Sequence, residues 1–391
     1  MSPAANNPSS AGGHAILAER IFDGHGWHAN AAVLVRDGRV AGIGSAGDVP
    51  ADWGQTRLPA GAFLAPGFID LQVNGGGGIL LNDQPTADGM RAIARAHRRY
   101  GSTACLPTLI SDTRERMQSA IAAARSIAGR NGVLGVHLEG PFISAKRPGV
   151  HRPDRIAQPR AGDLELLCDL GSAGSLMVTL APECVPAGFI STLVKSGVRV
   201  SIGHSEASTA DVAQAVADGA TGVTHLFNAM PPLSARAPGI IGATLAEPRL
   251  TAGLIVDGIH VEPLVVRTAF AAKPDRIALV TDAMPTVGAS LERFDLLGQT
   301  VRLVDGRLTT ESGTLAGAHL DMASAVRNAV TLAGLPLEDA LRAASLTPAQ
   351  FLGLDNERGV LRPGARADLV AMSQELKAIA TWCDGVTEDA I

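Results

Sequence analysis

Residues 198–226 read VRVSIGHSEASTADVAQAVADGATGVTHL. The stretch opens on a short apolar, β-branched run, 198–203, and His204 follows it directly. Such a run, closed by a glycine, has the signature of a buried strand. Ser208 then stands where a helix N-cap belongs, ahead of an alanine-rich amphipathic segment at 209–218, and Gly219 lies just past its end. A second apolar run, 222–226, carries His225. Strand, helix and strand in this order form the repeating unit of an α/β protein with a parallel sheet.

The same rhythm extends in both directions. Strands are expected at 67–73, 103–108, 133–139 and 176–180 before this unit, and at 252–256 and 277–281 after it. Helical stretches lie between them at 87–100, 114–128, 164–170, 186–195 and 262–271. Eight strand signals with interleaved helices predict an α/β fold of the (β/α)8 TIM-barrel type, with a doubly wound open sheet as the alternative. A hairpin at Asp305-Gly306 interrupts the pattern, and helices at 322–332 and 337–344 close it. The two chain ends differ from the middle. A hairpin is read at 32–35 and 40–43 around Asp37-Gly38, and β-rich texture returns at 359–364, 367–371 and 378–382. Residues 14–65 and 355–391 are therefore expected to pair as one small β-sandwich domain, with 66–354 forming the barrel and 1–13 a flexible tail.

Composition narrows the function classes. Of the 391 residues, 46% are hydrophobic but only 3% aromatic, so Ala, Val, Leu and Ile must fill the core. The net charge of -5 is spread without blocks of like sign, so neither a nucleic-acid footprint nor a polybasic membrane patch is expected. No apolar run reaches the roughly 18 residues of a spanning helix, and the opening residues lack a signal peptide's basic start and apolar core. Cys105, Cys168, Cys184 and Cys383 show no paired spacing, which fits reduced thiols in a cytoplasmic protein.

Polar residues fall on this map in a pattern. Glu139 ends the third expected strand, His204 follows the fifth, His225 ends the sixth, His260 follows the seventh and Asp282 follows the eighth. All five belong to strand C-terminal ends, the rim where barrel enzymes build their sites. Glu139, His204 and His225 offer two nitrogens and an oxygen, a set suited to zinc or ferrous iron. Three protein ligands leave a position open, and Asp282 stands where it can take a proton from water. The run Asn74-Gly75-Gly76-Gly77-Gly78 lacks both the dinucleotide fingerprint and a following Walker lysine, and reads as a tight flexible loop beside the metal.

Several strings carry a resemblance: PGFIDLQVNGGGG at 66–78, HLEGPFIS at 137–144, GHSEAS at 203–208, THLFNAMPPL at 224–233, DGIHV at 257–261 and LVTDAM at 279–284. The chain resembles the N-acetylglucosamine-6-phosphate deacetylase family of the amidohydrolase superfamily, in order, from about residue 15 to 382. HLEGPF and THLFNAM are specific to that family, whereas PGFID and the closing G-x-LRPGARADL at 359–369 are shared across the superfamily. The resemblance implies that Glu139, His204 and His225 bind the metal and that Asp282 is the catalytic acid/base. It implies that His151 contacts substrate near the acetamide and shares in catalysis. It also implies that Asn228, Ala229 and His260 meet the sugar phosphate, with the backbone of Leu315, Ala316 and Gly317 lining the substrate. Arg236 matches an arginine that reaches the phosphate from the neighbouring subunit of a homodimer.

Where many amidohydrolases have His-x-His for a second metal, this chain has Gln72-x-Asn74. Amides are poor zinc ligands, so one divalent ion per chain is expected, Zn2+ foremost and Fe2+ otherwise, with Gln72 and Asn74 supporting the site from behind. His319 replaces a small hydroxyl residue and fits either a sugar contact or a cap on the following helix. The expected reaction is hydrolysis of N-acetylglucosamine 6-phosphate to glucosamine 6-phosphate and acetate. Alternatives are the same chemistry on N-acetylgalactosamine 6-phosphate, or a cyclic-amide hydrolase. The latter class usually carries a bridging carboxylated lysine, and no lysine lies at any expected strand end.

Overall fold

A computed structural model describes residues 12–387. Most of the expected tail, residues 1–11, and the last residues of the expected end domain, 388–391, lie outside the described residues.

Eight parallel strands run in sequential spatial order: β1 (Phe68–Val73), β2 (Ser102–Ile110), β3 (Gly135–Glu139), β4 (Ser175–Leu180), β5 (Arg199–Ile202), β6 (Gly222–Val223), β7 (Thr251–Ile255) and β8 (Ile277–Val280). A doubly wound sheet would reverse its order at a switch point. Here the last strand returns to the first: Asp282 N–H donates to the Gln72 carbonyl at 3.0 Å, and Val73 bridges Ala283. This is a barrel. Every residue of β2 and β3 is buried, as expected for strands covered by helices outside and by packed side chains inside.

The helices obey their local signals. Over Thr209–Ala217, the Ser208 hydroxyl accepts from Asp211 N at 3.3 Å while the Asp211 carboxylate accepts from Ser208 N at 2.8 Å, a reciprocal cap. Two helices, Gly239–Ala246 and Leu346–Leu352, were not expected. The first is apolar on nearly every face and so shows no period, and the second carries Pro348 in its first turn. A three-stranded antiparallel sheet, Arg293–Leu296, Gln299–Val304 and Arg307–Thr310, extends the expected hairpin at Asp305-Gly306 into a lobe after β8.

The chain ends share one sheet, separate from the barrel, which curls on itself to make the expected small β domain. His14–Phe22 pairs with Trp27–Arg36 on one side and with Gly54–Arg57 and Phe63–Pro66 on the other; Phe63–Pro66 pairs in turn with Leu369–Met372. The curl brings Val40 against Ala365 and Gly364 through two backbone hydrogen bonds. The expected strand at 359–364 is a loop that makes this closure. Ile16, Ile21, Val33, Leu64, Leu369 and Trp382 fill the sheet's interior. Gly67 N donates to Asp368 O at 2.9 Å, so this sheet joins the barrel at the start of β1, away from the strand C-terminal ends.

Candidate active site

The five rim residues converge. Glu139 is the last residue of β3, while His204, His225 and Asp282 each lie two residues beyond β5, β6 and β8. Those three leave their strands in the left-handed region, with φ of +47°, +32° and +50°. Each such non-glycine residue costs about 1–3 kcal/mol and persists only where its surroundings dictate it. Strain placed at three functional candidates turns their side chains inward from the strand ends.

Three atoms meet at the centre. His204 Nε2 lies 3.0 Å and His225 Nε2 2.9 Å from Glu139 Oε1, and the two nitrogens are 3.0 Å apart. All three side chains are buried. Such a near-equilateral group of lone-pair atoms needs positive charge among them. Ligand atoms around a tetrahedral zinc at 2.0–2.1 Å are ~3.3 Å apart, so the triangle is close to the face of a metal site. His204 Nδ1 donates to the Arg147 carbonyl at 2.7 Å, which turns the Nε2 lone pair toward the group. Burial alone would raise the Glu139 carboxyl, but hydrogen bonds and charge from His204 and His225 outweigh it and hold the group well below the usual carboxylate range. The donor set therefore fits a divalent ion, whose binding replaces the protons these groups share.

His151 also lies within reach: donor atoms of Glu139, His151 and His204 fall within 4.8 Å of one another. We take His225, not His151, as the third member, because its nitrogen is 3.0 Å or less from both others and, among the described residues, forms no other hydrogen bond. His151 Nδ1 instead accepts from Ser111 N at 3.3 Å and faces Ser111 Oγ at 2.7 Å. That assignment leaves its proton on Nε2. Burial and the nearby His204 push the His151 imidazolium down to about 3, so the ring is a neutral hydrogen-bond donor.

Asp282 faces this group from the opposite wall. Its Oδ1 accepts from Gln72 Nε2 at 3.0 Å and from Asn74 Nδ2 at 2.6 Å. The same Gln72 nitrogen reaches Glu139 Oε2 at 3.1 Å, so one amide spaces the two carboxylates. Burial first, and then the charge of Glu139, push the Asp282 carboxyl up to about 6. With Oδ1 held by amides, Oδ2 is the oxygen that can take and return a proton near neutral pH. Gln72 and Asn74 thus act as hydrogen-bond donors to these carboxylates.

The remaining candidates, Arg236 apart, lie around this centre. His260 Nδ1 is 2.6 Å from Asp257 Oδ2, both side chains nearly buried; burial would raise Asp257, but the imidazole outweighs it and keeps the carboxyl low. Asn228 caps a turn onto His225 O, and Ala229 beside it has φ +52°. Gly317 sits beside Ala318, whose N–H donates to Asp282 O at 2.9 Å, while Ala316 N is tied to Leu308 O in the lobe and Leu315 bridges Thr309. Arg236 is exposed, and among the described residues no hydrogen bond or ion pair joins it to the cluster. His319 does not cap the following helix. Asp321 does, accepting from Ser324 N at 2.8 Å, and His319 Nδ1 contacts Thr286 Oγ1 at 2.9 Å. The glycine run is not a flexible loop either. Gly75–Gly76 pairs with Ile79–Leu80, and Gly75, Gly77 and Gly78 N–H groups donate to Ala283, Val287 and Pro285. A Cβ on Gly75 would stand 2.4 Å from Ile79 O, which is why the residue is glycine. Ser111 and the Arg147 carbonyl were not anticipated. Ser111, directly after β2, was open to the same rim rule that found the histidines, whereas a backbone carbonyl leaves no mark in sequence.

The amidohydrolase family model matches residues 63–387. The N-acetylgalactosamine-6-phosphate deacetylase of Shewanella sp. (strain ANA-3) is 40% identical over 361 residues, covering 90% of each chain. The N-acetylglucosamine-6-phosphate deacetylase of Haemophilus influenzae is 36% identical over 327 residues, covering 82% of this chain and 85% of its own. Among solved structures, a mutant N-acetyl-D-glucosamine-6-phosphate deacetylase of Mycobacterium smegmatis, in complex with N-acetyl-D-glucosamine-6-phosphate, superposes with a TM-score of 0.89. It is 32% identical and covers 97% of this chain and 100% of its own.

Proposed function

Because this chain belongs to the amidohydrolase family, we propose that it hydrolyses N-acetyl-D-glucosamine 6-phosphate to D-glucosamine 6-phosphate and acetate. The observation that carries this reading is the pair of buried carboxylates on facing walls, Glu139 among imidazoles and Asp282 among amides. Glu139, His204 and His225 would hold one divalent ion per chain, zinc by preference over ferrous iron. Bound there, the ion supplies Lewis-acid polarisation and acidifies water. Asp282 removes a proton from the attacking water on Oδ2 and returns it to the departing amine, so that the C–N bond breaks as the new C–O bond is kept. His151 Nε2–H hydrogen-bonds the acetamide oxygen as charge develops on it. Gln72 and Asn74 aim Asp282.

Asn228, Ala229, His260 and the backbone of Leu315, Ala316 and Gly317 line the sugar phosphate in this reading. Arg236 reaches the phosphate of the neighbouring subunit in a homodimer, which accounts for its exposed position in one chain. Residues 66–354 are assigned to catalysis and 14–65 with 355–391 to the end domain. Among the described residues no helix is long and apolar enough to cross a membrane, and we place the enzyme in the cytoplasm.

The test is acetate release from N-acetylglucosamine 6-phosphate by metal-loaded protein, with and without a chelator. Release that the chelator abolishes is expected; no release overturns the substrate assignment. The Shewanella relative supports a second reading, the galacto epimer. Running both epimers side by side decides between them, and a higher kcat/KM on the galacto compound would replace the substrate while keeping the chemistry.

A further inference from the structure

Behind the catalytic wall lies a second buried carboxylate that the reaction does not use. Asp70, in β1, is fully buried. Its Oδ1 accepts from Gln72 N and Thr281 N, each at 3.2 Å, and its Oδ2 accepts from Thr281 Oγ1 at 2.5 Å. The Thr281 hydroxyl in turn accepts from Ala283 N at 3.2 Å. Asp282 stands between Thr281 and Ala283 in the left-handed conformation, its N–H donating to Gln72 O and its carbonyl accepting from Ala318 N–H. Backbone in that region relaxes unless its flanks are held.

We propose that Asp70 and Thr281 form a latch that holds Asp282 in its strained, proton-accepting pose. One carboxylate gathers the backbone of Gln72, which spaces the two walls, and both polar groups of Thr281, which precedes the base. The hydroxyl then passes the restraint across Asp282 to Ala283. Ala283 is held from its other side by Gly75 N at 2.9 Å, and His97 Nε2 holds Gly75 O at 2.9 Å. Apart from Gln72, whose side chain also reaches Glu139 Oε2, no member of the latch hydrogen-bonds Glu139, His204 or His225 among the described residues. Asp70 and Thr281 therefore act on the base first. Asp70 and Thr281 are positioning residues, and this role rests on the reading of Asp282 as the acid/base given above.

The decisive variants are Thr281→Val, which keeps the volume and removes the hydroxyl, and Thr281→Ser, which keeps the hydroxyl and removes the methyl. Loss of a supporting partner of this kind typically lowers activity about 10- to 100-fold. Thr281→Val should lose kcat by that factor with KM and metal content unchanged, and Thr281→Ser should recover most of it. Asp70→Asn turns an acceptor toward Thr281 into a donor, and the double variant Asp70→Asn/Thr281→Val should be no worse than the poorer single one. A Thr281→Val protein with wild-type kcat overturns the latch, as does a Thr281→Ser protein that is not rescued. Crystal structures of the wild type and Thr281→Val give a reading independent of substrate: Asp282 should leave its left-handed conformation and its Asn74 contact in the variant. Retention of both overturns the inference. Inactivity of the wild type overturns only the substrate or acid/base reading, and the two structures still decide the latch.

Discussion

Glu139 and Asp282 are both buried and share the Gln72 amide between them, yet their neighbours drive them in opposite directions. Glu139 is surrounded by two imidazole nitrogens and kept ionised well below its usual range. Asp282 is surrounded by two neutral amides, and burial with the charge of Glu139 push it up to about 6. Burial is common to both, so the difference comes from the neighbours. Cation-like partners make a permanent anion that can ligate a metal, and neutral partners make a group that exchanges a proton near neutrality. Gln72 touches both walls and keeps them separate in role as well as in space.

The comparison can be broken from the Glu139 side first. Glu139→Gln removes the anion from the triangle and should lower bound metal to well under one equivalent, with acetate release falling about 1,000-fold or more. Elemental analysis beside a steady-state assay checks both. Next, His151→Ala removes a donor to the developing oxyanion and should lower kcat about 100- to 1,000-fold. Metal content should stay unchanged, which separates His151 from the ligand triangle it adjoins.

The pH dependence sharpens the Asp282 side. A base must be ionised to accept a proton, and the raised Asp282 carboxyl is protonated as pH falls through about 6. Turnover should therefore fall about tenfold per pH unit below that point, and a kcat profile flat down to the ordinary carboxylate range would remove Asp282 as the base. The smallest effect on chemistry is expected far from the rim. Leu369→Ala opens the core of the curled sheet and should cost roughly 2–5 kcal/mol of stability while kcat of the folded protein stays as it was. Denaturant unfolding and an assay well below the transition test that separation.

Much of this was legible in the sequence because local physics decided it. The eight barrel strands lie within two or three residues of their expected bounds at every end, since each is an apolar run between turn signals. The helix Thr209–Ala217 follows its cap. Helix Gly239–Ala246 was not legible, because a segment with apolar residues on nearly every face has no period to read. The rim positions of Glu139, His204, His225 and Asp282 followed from strand ends alone. Their partners did not. That Gln72 would bridge two carboxylates, that Asp70 would reach Thr281 across the closing seam, and that the Arg147 carbonyl would orient His204 are facts of tertiary contact between segments up to 211 residues apart. Arg236 is a further case, because its proposed role needs a second copy of the chain.

The division of labour between the two walls meets its most direct test in Asp282→Asn, purified alongside the wild type and assayed for metal and for acetate from N-acetylglucosamine 6-phosphate. About one equivalent of metal in both proteins, with acetate formed by the wild type alone, is the predicted result. Near-normal turnover in the variant, or loss of its metal, would contradict it.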